Sequence, residues 1–326
     1  MDSLKDSPPR LTWVVGGSWM PSFTLARRGA AGVLAAGAGL WLGQRPATAA
    51  AGAGAAGSGG SAPVPPLPGP LIAIGGGGVP PAILEAIVAL VGIQDFATVV
   101  LPQASANRTK SGLAATAMWL GAGAGKVVVL DPIESDRDRV AAAAALEAAD
   151  LLWLPGGSQT QLETALTDAG LAEVIRQRNR NGLVVAGTSA GAAVMSGAML
   201  SGAPEAGLHV AGAFTPYRGL GLWAAAIIDQ HFTERSRQGR LLTAVIDRPE
   251  LLGVGIDERT AVIVQGERLA VVGEGNVSVY DARAVTMFGV EPGRRQAASG
   301  LRVSVLRAGQ EFDWASTATV QHASKL

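Results

Sequence analysis

The stretch Leu183-Val184-Val185-Ala186-Gly187-Thr188-Ser189-Ala190-Gly191-Ala192-Ala193 decides how the rest of the chain is read. Its four leading apolar residues read as a buried strand, and the Ala-rich segment that follows suits a helix. Between the two, small residues permit a tight bend that carries one hydroxyl, that of Ser189, at its tip. Gly187-Thr188-Ser189-Ala190-Gly191 matches G-x-S-x-G, the strand, turn and helix of a nucleophile elbow. The same bend aims N–H groups of a helix start at the point where an oxyanion would develop. Glycine-rich turns after buried strands also serve packing alone, so the pentapeptide gains meaning only with its partners.

Working outward, apolar runs alternate with helical segments. Leu71 to Ile74 reads as a strand ending in Gly75 to Gly78, and Pro80 to Val91 as a helix. Strands at Ala97–Leu101, Val127–Leu130 and Leu151–Leu154 alternate with helices at Lys110–Gly121 and Ser135–Ala149. One or two helices fall between Ser158 and Gln177, before the strand of the elbow. Continuous apolar strands between helices predict an α/β fold: three layers, a mostly parallel sheet covered on both faces. In such sheets sites form beyond the carboxyl ends of strands, where Gly75, Pro102, Gly156 and Ser189 stand. Short strands at Gly253–Ile256, Ala261–Gln265, Ala270–Val272, Val277–Tyr280 and Leu301–Leu306 predict antiparallel additions at one edge near the C-terminus. Residues beyond Glu311 read as a loose tail, so the catalytic domain spans 70–312 and the tail 313–326.

A serine hydroxyl is a weak nucleophile at neutral pH and needs a base. Ala225-Ala226-Ile227-Ile228 reads as another strand and ends in Asp229-Gln230-His231-Phe232, which sets an imidazole at a strand end. A lone histidine is usually a capping or hydrogen-bonding residue; beside an elbow, His231 reads as the base. Gly255-Ile256-Asp257-Glu258-Arg259 offers two carboxylates that point to opposite sides of an extended chain. One of them can orient the imidazole, and the spacing does not choose between them; the alternative is a solvated turn in which Glu258 pairs with Arg259. Arg235, Arg237 and Arg240 crowd beside His231. They suit a substrate bearing carboxylates, and their charge favours a neutral imidazole; the alternative is a solvent-facing helix with Glu234 as local partner.

The bulk properties narrow the classes. The 326 residues carry 26 basic and 26 acidic side chains. With no net charge and a pI near 6.9, the chain lacks the electrostatic footprint of a nucleic-acid binder. The absence of cysteine removes disulfides, thiolate nucleophiles and zinc thiolate sites, and the three histidines are too scattered for a metal cluster. Arg27 and Arg28, the apolar stretch Gly29 to Leu42 and Ala47-Thr48-Ala49 read as an export signal over 1–49, by the general or the twin-arginine route, with Met20 an alternative start. Residues 50–69 are nearly all Gly, Ala, Ser and Pro, a flexible tether. The mature chain is then expected outside the cytoplasm with no stable membrane insertion.

Four segments together resemble the cyanophycinase and peptidase E family of serine exopeptidases: Gly156-Gly157-Ser158-Gln159, the elbow through Ser196, Asp229-Gln230-His231-Phe232 through Leu241, and Gly255-Ile256-Asp257-Glu258. The run from Asp229 is closer to cyanophycinase. The resemblance implies a fold related to the class I glutamine amidotransferases, a covalent acyl-enzyme, no metal or other cofactor, and aspartyl peptides or cyanophycin as substrate; it leaves room for a homodimer. It implies Ser189 as nucleophile, His231 as base and Glu258 as third member, with Glu205 the fallback. Gly157 and Ala190 become the oxyanion donors, and Gln159, Asp229, Gln230, Arg235, Arg237 and Arg240 the substrate contacts. Ser158 departs from the family, where Asn or Asp is usual. The order Ser, His, Glu also argues against an α/β-hydrolase, which runs Ser, acid, His, unless Glu205 is the acid. The competing readings are an exported aspartyl or isoaspartyl dipeptidase, and a non-catalytic binding protein on the same scaffold.

Overall fold

The computed structural model describes residues 14–15, 69–202, 209–287, 291–314 and 320–322. The segment read as an export signal, most of the tether and Glu205 therefore lie outside the described residues, apart from Val14–Val15. Among the described residues no helix is long and apolar enough to cross a membrane.

The parallel strands are β1 (Leu71–Ile74), β2 (Ala97–Val100), β3 (Lys126–Val129), β4 (Leu151–Leu154) and β5 (Val184–Thr188). They lie in the order β3-β2-β4-β5-β1, each pair parallel. β1 and β4 are buried at every position, as strands covered on both faces must be. The pleat sends Ile72 and Ile74 to one face, against Ile83 and Ile87 of helix α1 (Pro81–Val91) and Trp119 of α2 (Arg108–Gly121). It sends Leu71 and Ala73 to the other, with Leu146 of α3 (Asp136–Glu147), Leu162 and Leu166 of α4 (Gln159–Asp168) and Ile175 of α5 (Leu171–Arg180). Local chemistry sets the helix starts. Ser135 and Asp138 form a capping box on α3, and the Ser158 hydroxyl accepts the Gln161 N–H at the start of α4. The residue that departs from the family pattern thus works as a helix cap.

The antiparallel part divides in a way the sequence did not predict. Strand β6 (Ala226–Gln230), which leads into His231, leaves the main sheet. It pairs in parallel with β7 (Leu252–Ile256), and β10 (Asn276–Asp281) and β11 (Arg302–Arg307) complete a separate four-stranded sheet. The turn Asp257–Arg259 carries the chain from β7 back to the main sheet. There β8 (Thr260–Gln265) pairs antiparallel with β1, followed by β9 (Arg268–Gly273) and β12 (Gln310–Asp313). The inner face of the second sheet, through Ile228, Val254 and Val279, joins the core beneath the main sheet. Helix α7 (Gln238–Asp247) covers the outer face through Leu241 and Val245. Against the expected loose tail, β12 is a paired strand, and Val320–His322 pairs with it. At the far edge Val14–Val15 pairs with β3.

The elbow's glycines are packing requirements. A Cβ at Gly187 would overlap the Gly191 carbonyl, and one at Gly191 would overlap the Leu154 carbonyl at the end of β4. Helix α6 (Ala190–Ala193) therefore rests directly on backbone. Alanine is intrinsically the better helix former. Gly191→Ala is nevertheless expected to destabilise the protein by about 1–3 kcal/mol through overpacking against rigid main chain, read as a lowered midpoint in chemical denaturation.

Candidate active site

Ser189 holds φ at 54°, a region that non-glycine residues seldom occupy, and His231 does the same at 48°. Three consecutive carbonyls at the end of β1 secure these backbones. Ile74 accepts the N–H of Ser189 at 2.9 Å, Gly75 that of His231 at 2.8 Å, and Gly76 that of Arg259, next to Glu258, at 2.7 Å. The glycines also clear the space above them. A Cβ on Gly76 would stand 2.5 Å from His231 Nε2, and one on Gly77 would stand 2.6 Å from Glu258 Oε2. The Gly75 to Gly78 run was visible in the sequence as a strand end, but its role as the floor under these two side chains was missed. Four adjacent glycines after a buried strand were the available signal.

On this floor Ser189 Oγ lies 2.9 Å from His231 Nε2, and His231 Nδ1 lies 2.5 Å from Glu258 Oε1. With Glu258 as a carboxylate, Nδ1 carries the proton and donates it, and Nε2 is left to accept from the serine hydroxyl. Gln230 Oε1 offers that hydroxyl a longer alternative at 3.4 Å. Direction separates the two carboxylates that spacing leaves open. Glu258 faces the imidazole, whereas Asp257 turns away and accepts from the Thr233 and Asn276 N–H groups. Neither residue takes the partner expected in a simple solvated turn. Arg259 pairs with Glu274 in a two-pronged contact of 2.6 Å each, and Glu234 accepts the Glu258 N–H at 3.1 Å.

His231 is titrated by opposing effects. Burial dominates and lowers its pKa below the ordinary 6.5; the hydrogen bond to Glu258 pulls upward, and the charges of Arg235 and Arg237 push down again. The imidazole is therefore held neutral at physiological pH, the form in which Nε2 can accept a proton.

The arginines part company. Asp229 is 1% exposed and receives Arg240 through both prongs, Nε to Oδ2 at 2.7 Å and Nη2 to Oδ1 at 2.5 Å. Arg237 adds an Nη1 contact at 3.3 Å to the same carboxylate and donates to the Gln230 carbonyl. Both guanidinium groups are buried, and burial lowers the Arg237 pKa to about 10. The expectation that Asp229, Arg237 and Arg240 meet substrate is therefore corrected: they form an ionic trio inside the protein. Arg235 remains exposed beside His231. Gln159 is also buried, and its Nε2 donates to the Leu200 carbonyl at 2.9 Å rather than into the site. On the other side of the serine, Gly156 stands so close that a Cβ there would lie 3.4 Å from Ser189 Cβ. Ala190 follows the serine at the start of α6, whereas Gly157, in the turn after β4, packs closest to the Ala104 carbonyl.

The sequence profile of Peptidase family S51 matches residues 71–272, the span that holds every residue of this site. A cyanophycinase of Trichormus variabilis is 38% identical over 196 residues, which cover 58% of this chain and 66% of that protein. One of Geminocystis herdmanii is 36% identical over 199 residues, covering 59% and 72%. The chain thus spans just under two thirds of the length of the first of these. A solved structure of a peptidase from an acI-B1 Actinobacterium superposes with a TM-score of 0.58 at 21% identity, covering 76% of this chain and 97% of that one, a likeness of fold.

Three outcomes follow from the electrostatics. Asp229→Ala leaves two buried cations without their anion and is expected to cost about 3–5 kcal/mol, measured by denaturant titration. The acidic limb of the pH–rate profile is expected below pH 6.5, because burial delays protonation of His231. Below that pH the unfolded chain takes up the proton first, so stability also declines on acidification. A limb above the ordinary imidazole range would contradict the geometry.

Proposed function

Because the chain belongs to peptidase family S51, we propose that it is a serine-type exopeptidase that hydrolyses cyanophycin to β-Asp-Arg dipeptides through an acyl-enzyme on Ser189. The observation that carries the proposal is the continuous relay from Ser189 Oγ to His231 Nε2 at 2.9 Å and from His231 Nδ1 to Glu258 Oε1 at 2.5 Å. In this reading the Ser189 oxygen attacks an aspartyl carbonyl while its proton passes to His231 Nε2. Glu258 holds the ring in the tautomer that can accept and stabilises the imidazolium. The Gly157 and Ala190 N–H groups meet the oxyanion. His231 returns the proton to the leaving amine, and water, deprotonated by the same imidazole, releases the acyl group from Ser189.

The choice of polymer rests on the relatives, which carry the name cyanophycinase at 36–38% identity. Exposed Arg235 supplies positive charge at the mouth of the site, consistent with aspartyl carboxylates. Incubation with cyanophycin granules beside a panel of small Asp-X and isoaspartyl peptides distinguishes a depolymerase from a dipeptidase. We expect dipeptide release from the polymer, read by mass spectrometry. Ser189→Ala should lower kcat by about 10⁴-fold or more while the protein remains folded. Undiminished turnover in that variant, or an intact polymer alongside rapid dipeptide cleavage, would reject the corresponding part of the proposal.

A further inference from the structure

We propose that Asp257 is a positioning residue that locks the loop carrying His231 to the turn carrying Glu258; the inference rests on the reading of those two residues as base and orienting acid. The Asp257 side chain is 6% exposed and faces away from the imidazole. Its Oδ1 accepts two bonds from Thr233, from the N–H at 3.1 Å and from the hydroxyl at 2.5 Å, and its Oδ2 accepts the Asn276 N–H at 3.0 Å. The Asp257 N–H in turn donates to the Asn276 carbonyl at 3.1 Å. Thr233 lies two residues beyond His231, Glu258 is the next residue after Asp257, and Asn276 opens β10. One carboxylate therefore joins the loop of the base, the turn of the acid and the second sheet.

The residue type is dictated by its surroundings. Three donors converge on two oxygens, and a carboxylate offers only acceptors. Asparagine has the same shape but would present an amide N–H₂ to one of those donors. Gly275 clears the approach, since a Cβ there would come within 2.8 Å of Asp257 Cβ. Such a clamp has a purpose here, because His231 sits at a backbone angle that persists only where the surroundings over-determine it. Relaxing the clamp lets the imidazole drift from both neighbours, and a misplacement of one ångström can cost on the order of a hundredfold in rate.

The test uses the full chain with ¹⁵N-labelled histidine and the variants Asp257→Asn, Thr233→Val and Thr233→Ser. We expect Asp257→Asn to lower kcat by about tenfold to a hundredfold with KM held within about twofold. The downfield Nδ1 proton resonance of His231 should shift or broaden. Thr233→Val should do the same to a lesser degree, and Thr233→Ser, which keeps the hydroxyl, should restore wild-type behaviour. A folded Asp257→Asn protein with unchanged kcat and an unmoved resonance overturns the proposal, as does lost turnover with the resonance unmoved. Should Asp257→Asn fail to fold, Thr233→Val decides, because Thr233 is exposed and its replacement leaves the core intact; wild-type kcat and resonance in that variant overturn the proposal. If the wild-type chain hydrolyses no aspartyl substrate, the functional reading fails, while the His231 resonance still decides the role of Asp257.

Discussion

Three peptide carbonyls in a row, those of Ile74, Gly75 and Gly76, hold the candidate site together. Each takes the N–H of a segment that brings one side chain of the candidate site: Ser189, His231, and Arg259 beside Glu258. The three segments come from different places, the serine from the main sheet, the histidine from the second sheet and the glutamate from the turn between them. Side-chain contacts alone would leave three loops to find one another. A shared strand end converts that search into register. A buried main-chain bond contributes only about 1 kcal/mol net, but leaving its groups unpaired costs more, so each loop has one seat that satisfies it. Glycine at 76 and 77 is the other half of the device, because the imidazole and the carboxylate occupy the volume that side chains would fill.

Charge is arranged around this frame by competition. Burial and the nearby arginines favour a neutral imidazole, and Glu258 favours a charged one; burial prevails. The outcome leaves Glu258 strong enough to aim the ring without keeping it protonated at rest. Behind the ring, Asp229 draws two guanidinium groups into the interior. An ion cluster so deep is poor evidence for net stability, since desolvation offsets most of the attraction. Its geometric effect is clearer. The Asp229 side chain on β6 is gripped by α7, and Arg237 also holds the Gln230 carbonyl. The peptide just before His231 is thereby fixed from the far side of the sheet.

Much of this was legible in the sequence, for identifiable reasons. The parallel strands announce themselves because burial on both faces demands unbroken apolar runs such as Leu151 to Leu154. The elbow is legible because its steric needs leave a mark in small residues. The second sheet was not, since Ala226 to Ile228 and Gly253 to Ile256 look the same whichever sheet receives them; pairing partners are a property of the whole chain. The arginines misled for a related reason. Three cations near a histidine suggest an anionic ligand, yet the anion for two of them, Asp229, stood eight and eleven residues away on a neighbouring element. Alternation correctly separated Asp257 from Glu258, but only the register of β7 against β10 says which side is which.

The strand that anchors everything begins the described domain, and the groups it anchors arrive far later in the sequence. On the ribosome, then, Ser189 emerges before either His231 or Glu258. Contacts this distant along the chain carry a loop-closure cost that slows folding. The cluster of Ser189, His231 and Glu258 therefore closes only once the turn at Glu258 has been laid down.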